Sequence, residues 1–297
     1  MKNIVFTDAD LDGSMCYMLL KLCATNTLPY KVTTVTKFHD DFKAWLKKND
    51  PTQYNKIIIT DLDISQQSLE LVDMPNVHII DHHSTHVENR DKYKHAKVNV
   101  VEYPSCAKLI YKLFKSKIDK HITPDQKKLL LLVDDYDSWT HQYPQSKQLN
   151  FIFWNYQGDR LEKFLKDFSI GFRGFNPPQL QTIDFYEKKL HKTLSNLTYH
   201  RATVSIGKKP TKCICTFANT LISDVGNHLV EKLDAEIGFV VNLDSNRVSI
   251  RRNKACEIHV GNLAKKLIDG GGHESAAGGV CTETFLKFSK VFTPSKN

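Results

Sequence analysis

The feature of this sequence that most restricts its fold is a repeated one: an apolar run of strand length that stops in acid. Val77-His78-Ile79-Ile80 runs into Asp81-His82-His83, Lys56-Ile57-Ile58-Ile59-Thr60 into Asp61-Leu62-Asp63, and Asn3-Ile4-Val5-Phe6-Thr7 into Asp8-Ala9-Asp10-Leu11-Asp12-Gly13. Short β-branched runs bounded by polar turns suit the buried strands of a parallel sheet. Open sheets of that kind place their sites at the carboxyl ends of the strands. Side by side, these ends would gather several carboxylates and an imidazole within a few ångströms. Carboxylates that close repel unless cations neutralise them.

The intervening segments have helical spacing. Ser14 to Ala24, Asp41 to Lys48 (with Phe42, Trp45 and Leu46 on one face) and Ser65 to Leu71 read as helices, and Val32 to Thr36 as a further strand. Strand and helix in alternation predict an α/β fold with a parallel sheet. Further helices are expected over Ser105 to Lys117 and from the cap Thr123-Pro124 through the leucines to Val133, ending at Asp134-Asp135-Tyr136-Asp137-Ser138-Trp139. Helices from Leu161 to Phe168 and from Leu180 to Leu197 precede a second set of strands, at Ala202 to Ile206, Cys213 to Phe217, Ile237 to Asn242 and Arg247 to Arg252. Helices are also expected from Ser223 to Leu233 and from Gly261 to Ile268, the latter leading into Gly270-Gly271-Gly272-His273. The expected organisation is a parallel-sheet domain over 1–178, a helical linker over 179–200 and a smaller α/β domain over 201–297, with the active site in the cleft between the domains.

Composition narrows the function. A chain of 297 residues, 41% hydrophobic and 25% charged, has the make-up of a globular protein with room for two cores. The start shows no charged segment followed by a long apolar one, and the apolar run Leu129 to Val133 falls far short of the roughly 20 residues that cross a bilayer. A soluble, cytoplasmic protein is expected. Seven cysteines, odd in number and without a Cys-x-x-Cys pair, read as reduced core residues rather than disulfides or a zinc ribbon. The net charge of +8 coexists with acidic strand ends, so the positive excess lies elsewhere, as suits a polyanionic substrate gripped by Lys and Arg near bound cations. Two divalent ions roughly 3.5–4 Å apart are the usual arrangement for phosphoester hydrolysis. Oxygen-rich ligands with an imidazole favour Mn²⁺, with Mg²⁺ as the other option. An EF-hand beginning at Asp8 is excluded, because its twelfth position is Leu19 rather than a bidentate Glu.

These motifs, in this order, resemble a DHH-superfamily phosphoesterase carrying the accessory DHHA1 domain that ends in Gly-Gly-Gly-His, the group of RecJ-type exonucleases, nanoRNases and cyclic-di-AMP phosphodiesterases. The family's His-x-Asp-x-Asp falls on Asp8, Asp10 and Asp12, its second-motif Asp on Asp61, its Asp-His-His on Asp81, His82 and His83, and its fourth-motif Asp among the adjacent Asp134, Asp135 and Asp137. Asp135 is chosen because Asp-Tyr-Asp-Ser-Trp aligns with the family's Asp-Thr-Gly-Ser-aromatic. The resemblance implies that Asp8, Asp10 and Asp61 hold one metal and Asp12, Asp61, His82 and Asp135 the other, with Asp61 bridging. It further implies that Asp81 and His83 are catalytic, orienting the ligands and stabilising the transition state. One departure stands out: Asp8 replaces the leading His of the first motif with an anion.

The glycine run has a physical role of its own, since Gly271 and Gly272 let backbone N–H groups approach a phosphate while His273 donates directionally. By the resemblance Ser249, Arg251, Gly271, Gly272 and His273 bind the substrate's terminal phosphate or base, with Arg252 as a substitute for Arg251. His39, His86, His121, His141, His191 and His228 match no motif and are expected at the surface or in caps. Trp139, Phe151, Phe153, Trp154 and Tyr156 are expected to pack in a core rather than to stack on bases. The function that follows is two-metal phosphodiester hydrolysis of short oligonucleotides or single-stranded nucleic acid, most similar to a compact nanoRNase. Cyclic dinucleotides or 3′-phosphoadenosine 5′-phosphate are the alternative substrates, and an inactive nucleic-acid-binding relative is the alternative from another class. No membrane partner is expected, and a homodimer is one option for the oligomeric state.

Overall fold

The computed structural model describes residues 2–207 and 209–294. The chain divides into two compact units, Met1–Ile183 and Asp184–Asn297. In the first, β1 (Lys2–Asp8), β2 (Tyr30–Thr33), β3 (Tyr54–Thr60), β4 (Val77–Asp81) and β5 (Lys97–Val100) form a wholly parallel sheet in the order β2-β1-β3-β4-β5. Its helices are α1 (Leu11–Leu22), α2 (Phe38–Leu46), α3 (Leu69–Val72), α4 (Ser84–Val87), α5 (Cys106–Leu113), α6 (Lys115–Ile118), α7 (Pro124–Asp137), α8 (Pro144–Asn155) and α9 (Arg160–Phe168). Helix α10 (Pro177–Ser195) contains the point of division.

Alternate residues of a strand face opposite sides of the sheet, and the core divides accordingly. Ile4, Phe6, Ile57, Ile59, Val77 and Ile79 pack with Phe38, Phe42 and Trp45 of α2, whereas Val5, Ile58 and Ile80 pack with α1, α5 and α7. Register matters more to the site. Thr7 pairs with Thr60 and Thr60 with Ile80, so three strands end level with one another. The buried hydroxyl of Thr60 donates to that of Thr7 (3.0 Å), which donates to the Gly13 carbonyl (2.7 Å) and ties the first acidic loop to its neighbouring strand.

Several boundaries differ from expectation. The segment 65–71 makes only the single turn α3, because Asp63 caps a local turn at Ser65 by accepting from both its N–H and its hydroxyl. Helix α7, with the expected Thr123 capping box, continues past Val133 to Asp137. Strand β5 and helix α8 were not anticipated from pattern. Among the described residues no helix is long and apolar enough to cross a membrane.

The second unit holds β6 (Tyr199–Ile206), β7 (Lys209–Phe217), α11 (Ile222–Glu231), β8 (Ile237–Asn242), β9 (Arg247–Arg252), α12 (Val260–Leu267), β10 (Gly271–Gly272), β11 (Ala276–Val280), α13 (Glu283–Ser289) and β12 (Thr293–Pro294). They form a mixed sheet in the order β10-β11-β9-β8-β7-β6-β12, in which only β7 and β8 run parallel. Phe239, Val241, Val248 and Ile250 face α12 and α13, while Ile214 and Val240 face α11. All seven cysteines are free, and five of them are buried.

Candidate metal centre

A sheet ordered β2-β1-β3-β4-β5 reverses direction of growth between β1 and β3, and a crevice opens at such a point. The ends of β1 and β3 carry Asp8 and Asp61, and β4 ends in Asp81. Asp10 caps α1 by accepting from Gly13 N–H (2.9 Å). Gly13 is required there, since a Cβ would lie 2.5 Å from the Asp8 carbonyl oxygen. Asp61 adopts a left-handed backbone (φ 60°), the turn that swings its carboxylate off the strand and into the crevice.

Asp12 is held from the far side. Its Oδ2 accepts from Cys106 N–H (2.7 Å) and its Oδ1 from Ala107 N–H (3.1 Å), the first amides of α5. A carboxylate at a helix N-terminus satisfies orphan donors and meets the positive end of the dipole. His82 donates from Nδ1 to the Tyr103 carbonyl (3.1 Å), which leaves Nε2 with its lone pair. That nitrogen lies 3.4 Å from Asp61 Oδ1 and 3.6 Å from Asp137 Oδ2. Burial, with the charge of His83, lowers the His82 pKa to about 4, so the ring is neutral at pH 7.

The other groups are perturbed as crowding demands. Burial first and Asp10 second push both Asp8 and Asp12 up to about 8. Burial followed by the charges of Asp12 and Asp10 holds Asp61 and Asp137 well above the carboxylate range. Asp81 is different. Burial would raise it, but it accepts from His83 Nδ1 (2.8 Å) and His86 Nδ1 (2.7 Å) and stays well below its usual pKa. Burial opposes charge on His83 too, yet the Asp81 carboxylate carries it up to about 10.

Asp61 Oδ2 and Asp137 Oδ2 are buried and accept no hydrogen bond. Asp12, His82 and Asp137 each present a ligand atom within 4.8 Å of the others. Hard carboxylate oxygens, one neutral imidazole and two buried oxygens without donors are the donor set that a divalent cation of the Mn²⁺ or Mg²⁺ type requires. Asp61, Asp81 and His83 lie equally close together, but both oxygens of Asp81 are already spent on imidazole N–H groups.

The structure brings Asp137, not Asp135, to this cluster. Asp135 accepts from Thr140 Oγ1 (2.6 Å), Gln142 N–H (2.8 Å) and Tyr143 N–H (3.1 Å), and so fastens the chain leaving α7. Asp134 accepts from Ser105 Oγ (2.9 Å) and Lys108 Nζ (2.6 Å). His86 departs furthest from expectation: it is wholly buried, with its Nε2 against Tyr93 Oη (2.9 Å). His121 and His191 are exposed as expected. Phe153 is core, while Trp154 is 47% exposed beneath the Arg160 guanidinium.

In the second unit Gly271 and Gly272 form the edge strand β10. Gly271 pairs with Gly278, and Gly278 with Ser249 of β9. Ser249 and Arg251 share one face of β9. Arg251 crosses the space left by Gly226 of α11 and donates to Ser223 Oγ (3.1 Å). Arg252 faces the other way and is fixed by Glu274 (2.7 Å), Ser275 (3.3 Å) and the Cys256 carbonyl. A Cβ on Gly271 would meet nothing, whereas Gly272 (φ 144°) has the Ala276 carbonyl oxygen 2.5 Å from where one would stand. His273 donates its N–H to that carbonyl (2.8 Å) and accepts from Gly261 N–H (3.1 Å).

Fold and site together define an α/β protein with a carboxylate and imidazole centre at its topological switch point. Residues 2–133 match the DHH family, N-terminal domain, and the matched stretch holds every residue of the cluster except Asp137. An exonuclease RecJ bound to manganese shares the fold at 14% identity, over 97% of this chain and 88% of that one, with a TM-score of 0.57. The pGpG-specific phosphodiesterase PggH of Vibrio cholerae does so at 13%, over 98% and 96%, with a TM-score of 0.55. An exopolyphosphatase-related protein of Bacteroides fragilis does so at 16%, over 97% and 89%, with a TM-score of 0.52. No curated protein sequence matches the chain.

Proposed function

We propose that this protein is a metal-dependent phosphodiesterase that hydrolyses short oligonucleotides or single-stranded nucleic acid. The observation that carries this is the pair of buried oxygens, Asp61 Oδ2 and Asp137 Oδ2, which accept no hydrogen bond beside the unprotonated Nε2 of His82. Asp8, Asp10 and Asp61 would hold one Mn²⁺, and Asp12, Asp61, His82 and Asp137 the second, with Asp61 shared and Asp137 taking the role expected of Asp135. Bound there, such ions lower the pKa of water and offset charge on the phosphoryl oxygens.

The chain's own residues supply the rest. The Tyr103 carbonyl fixes the His82 tautomer, and the α5 amides fix Asp12 before any ligand arrives. Asp81 keeps His83 protonated with Nδ1 spent on the carboxylate, so Nε2–H is the donor for a non-bridging phosphoryl oxygen. Asp8 adds an anion where the family has a neutral ligand, which favours a hard cation and lowers its Lewis acidity. The second unit, of the DHHA1 kind, would hold the substrate through Ser249, Arg251, Gly271, Gly272 and His273. The open side of Gly271 supports this, because packing does not require a glycine there.

The test is hydrolysis, with Mn²⁺, of di- to pentanucleotides of RNA and DNA, a longer single strand, cyclic-di-AMP and 3′-phosphoadenosine 5′-phosphate. Fastest loss of the shortest linear oligomers is expected. Preferential loss of either alternative small substrate would reassign the substrate, and no turnover with oligonucleotide binding retained would make the protein a binding relative.

A further inference from the structure

Asp81 is held at both ends. Its Oδ1 accepts from His83 Nδ1 at 2.8 Å and its Oδ2 from His86 Nδ1 at 2.7 Å. A carboxylate only accepts, so Nδ1 is the donor on both rings. The far side of His86 is occupied as well, with Nε2 lying 2.9 Å from the Tyr93 hydroxyl. Asp81 and His86 are both 0% exposed, and α4 delivers His86 while Tyr93 follows the turn at Arg90–Lys92. The nearest other carboxylate, Asp63, sits 3.9 Å from His86 Nδ1, but Ser65 and Thr85 already donate to its oxygens.

We infer that His86 is a positioning residue for His83, acting through Asp81, with Tyr93 setting the plane of the His86 ring. A carboxylate pinned by one donor can rotate about its Cβ–Cγ bond. Pinned by two donors on different oxygens, it cannot, and the direction of the His83 ring is fixed with it. This rests on the phosphodiesterase assignment above for its catalytic consequence, though not for its geometry. Residues that orient a site's primary groups characteristically affect affinity or rate by about 10- to 100-fold when removed.

The test compares wild type with His86→Ala, His86→Asn, which retains a nitrogen donor near the position of Nδ1, and Tyr93→Phe. One readout is ¹H–¹⁵N NMR of histidine side chains in the metal-free protein, and the other is kcat and KM for a 5′-phosphorylated RNA dinucleotide with Mn²⁺. The His83 Nδ1–H signal should be protected in wild type, lost to exchange in His86→Ala and regained in His86→Asn. In parallel, kcat should fall about 10- to 100-fold in His86→Ala with KM unchanged, and recover in His86→Asn, with Tyr93→Phe falling between. A protected His83 signal in His86→Ala, or equal losses in the Ala and Asn variants, overturns the inference. Should wild type hydrolyse no phosphodiester, the enzymatic assignment falls, and the NMR comparison alone supports or overturns the positioning role.

Discussion

Removing divalent cations should invert the pH dependence of stability in the first unit. Asp12 is 2% exposed and titrates near 8 in the folded protein, through burial and the charge of Asp10, against 3.8 when unfolded; Asp8 titrates near the same value. A folded pKa raised above the unfolded one means that the native state holds the proton more tightly. The stabilisation is complete below about pH 4 and is lost as pH rises towards 8. Each such carboxylate contributes about 1.4 kcal/mol per pH unit in that window. From pH 5 to 7 one carboxylate therefore costs about 3 kcal/mol, and mutual repulsion keeps the pair below twice that figure. The assay is urea unfolding at pH 5, 6 and 7 with chelator, followed by tryptophan fluorescence. All three tryptophans, Trp45, Trp139 and Trp154, lie in the first unit, so the signal reports on that unit. With saturating Mn²⁺ the slope should change sign, because cations then compete with protons. A chelated protein whose stability is flat or rises over this range would refute the convergence of these carboxylates.

Asp137→Asn replaces a buried carboxyl, crowded by Asp12 and Asp10, whose Oδ2 has no donor, so the metal-free protein should gain stability while Mn²⁺ binding by calorimetry and turnover are lost. Asp135→Asn should do the reverse, costing about 1–3 kcal/mol through its two amide partners and leaving Mn²⁺ affinity intact. Mn²⁺ at a hundred times its Kd should stabilise wild type by about 2.7 kcal/mol in thermal melts, an increment absent from Asp61→Ala. Gly272→Ala should lower the melting temperature of the second unit, given the 2.5 Å approach to the Ala276 carbonyl oxygen, whereas Gly271→Ala should fold normally and raise KM.

Acids at the ends of apolar runs were legible because burial on both faces of a parallel sheet writes those runs without interruption, and Asp8, Asp61 and Asp81 follow directly from them. The fourth acid was not. Asp134, Asp135 and Asp137 stand within one helical turn, and alignment favoured Asp135, but α7 continues to Asp137 and the rotation of its last turn decides which carboxylate faces His82. His86 was hidden for a related reason: its three-residue spacing from His83 becomes a signal only once β4 ends at Asp81 and a helical turn begins at Ser84. That Gly271 and Gly272 pair as an edge strand was not legible, because two-residue edge strands are specified by their partner, here Gly278 and Ala277, rather than by their own propensity.

The left-handed backbone of Asp61 bears on how such a protein would age in evolution. Asp61 occupies a conformation that most L-residues enter at a cost of about 1–2 kcal/mol, and it does so with a buried oxygen that nothing hydrogen-bonds. The proposed metal role, rather than stability, accounts for the aspartate there. A lineage released from selection on hydrolysis would find a sturdier protein one codon away, at Asn or Gly, and would accumulate those residues at position 61 before its sheet or its cores changed at all. Loss of activity in such descendants would register first as a gain in melting temperature.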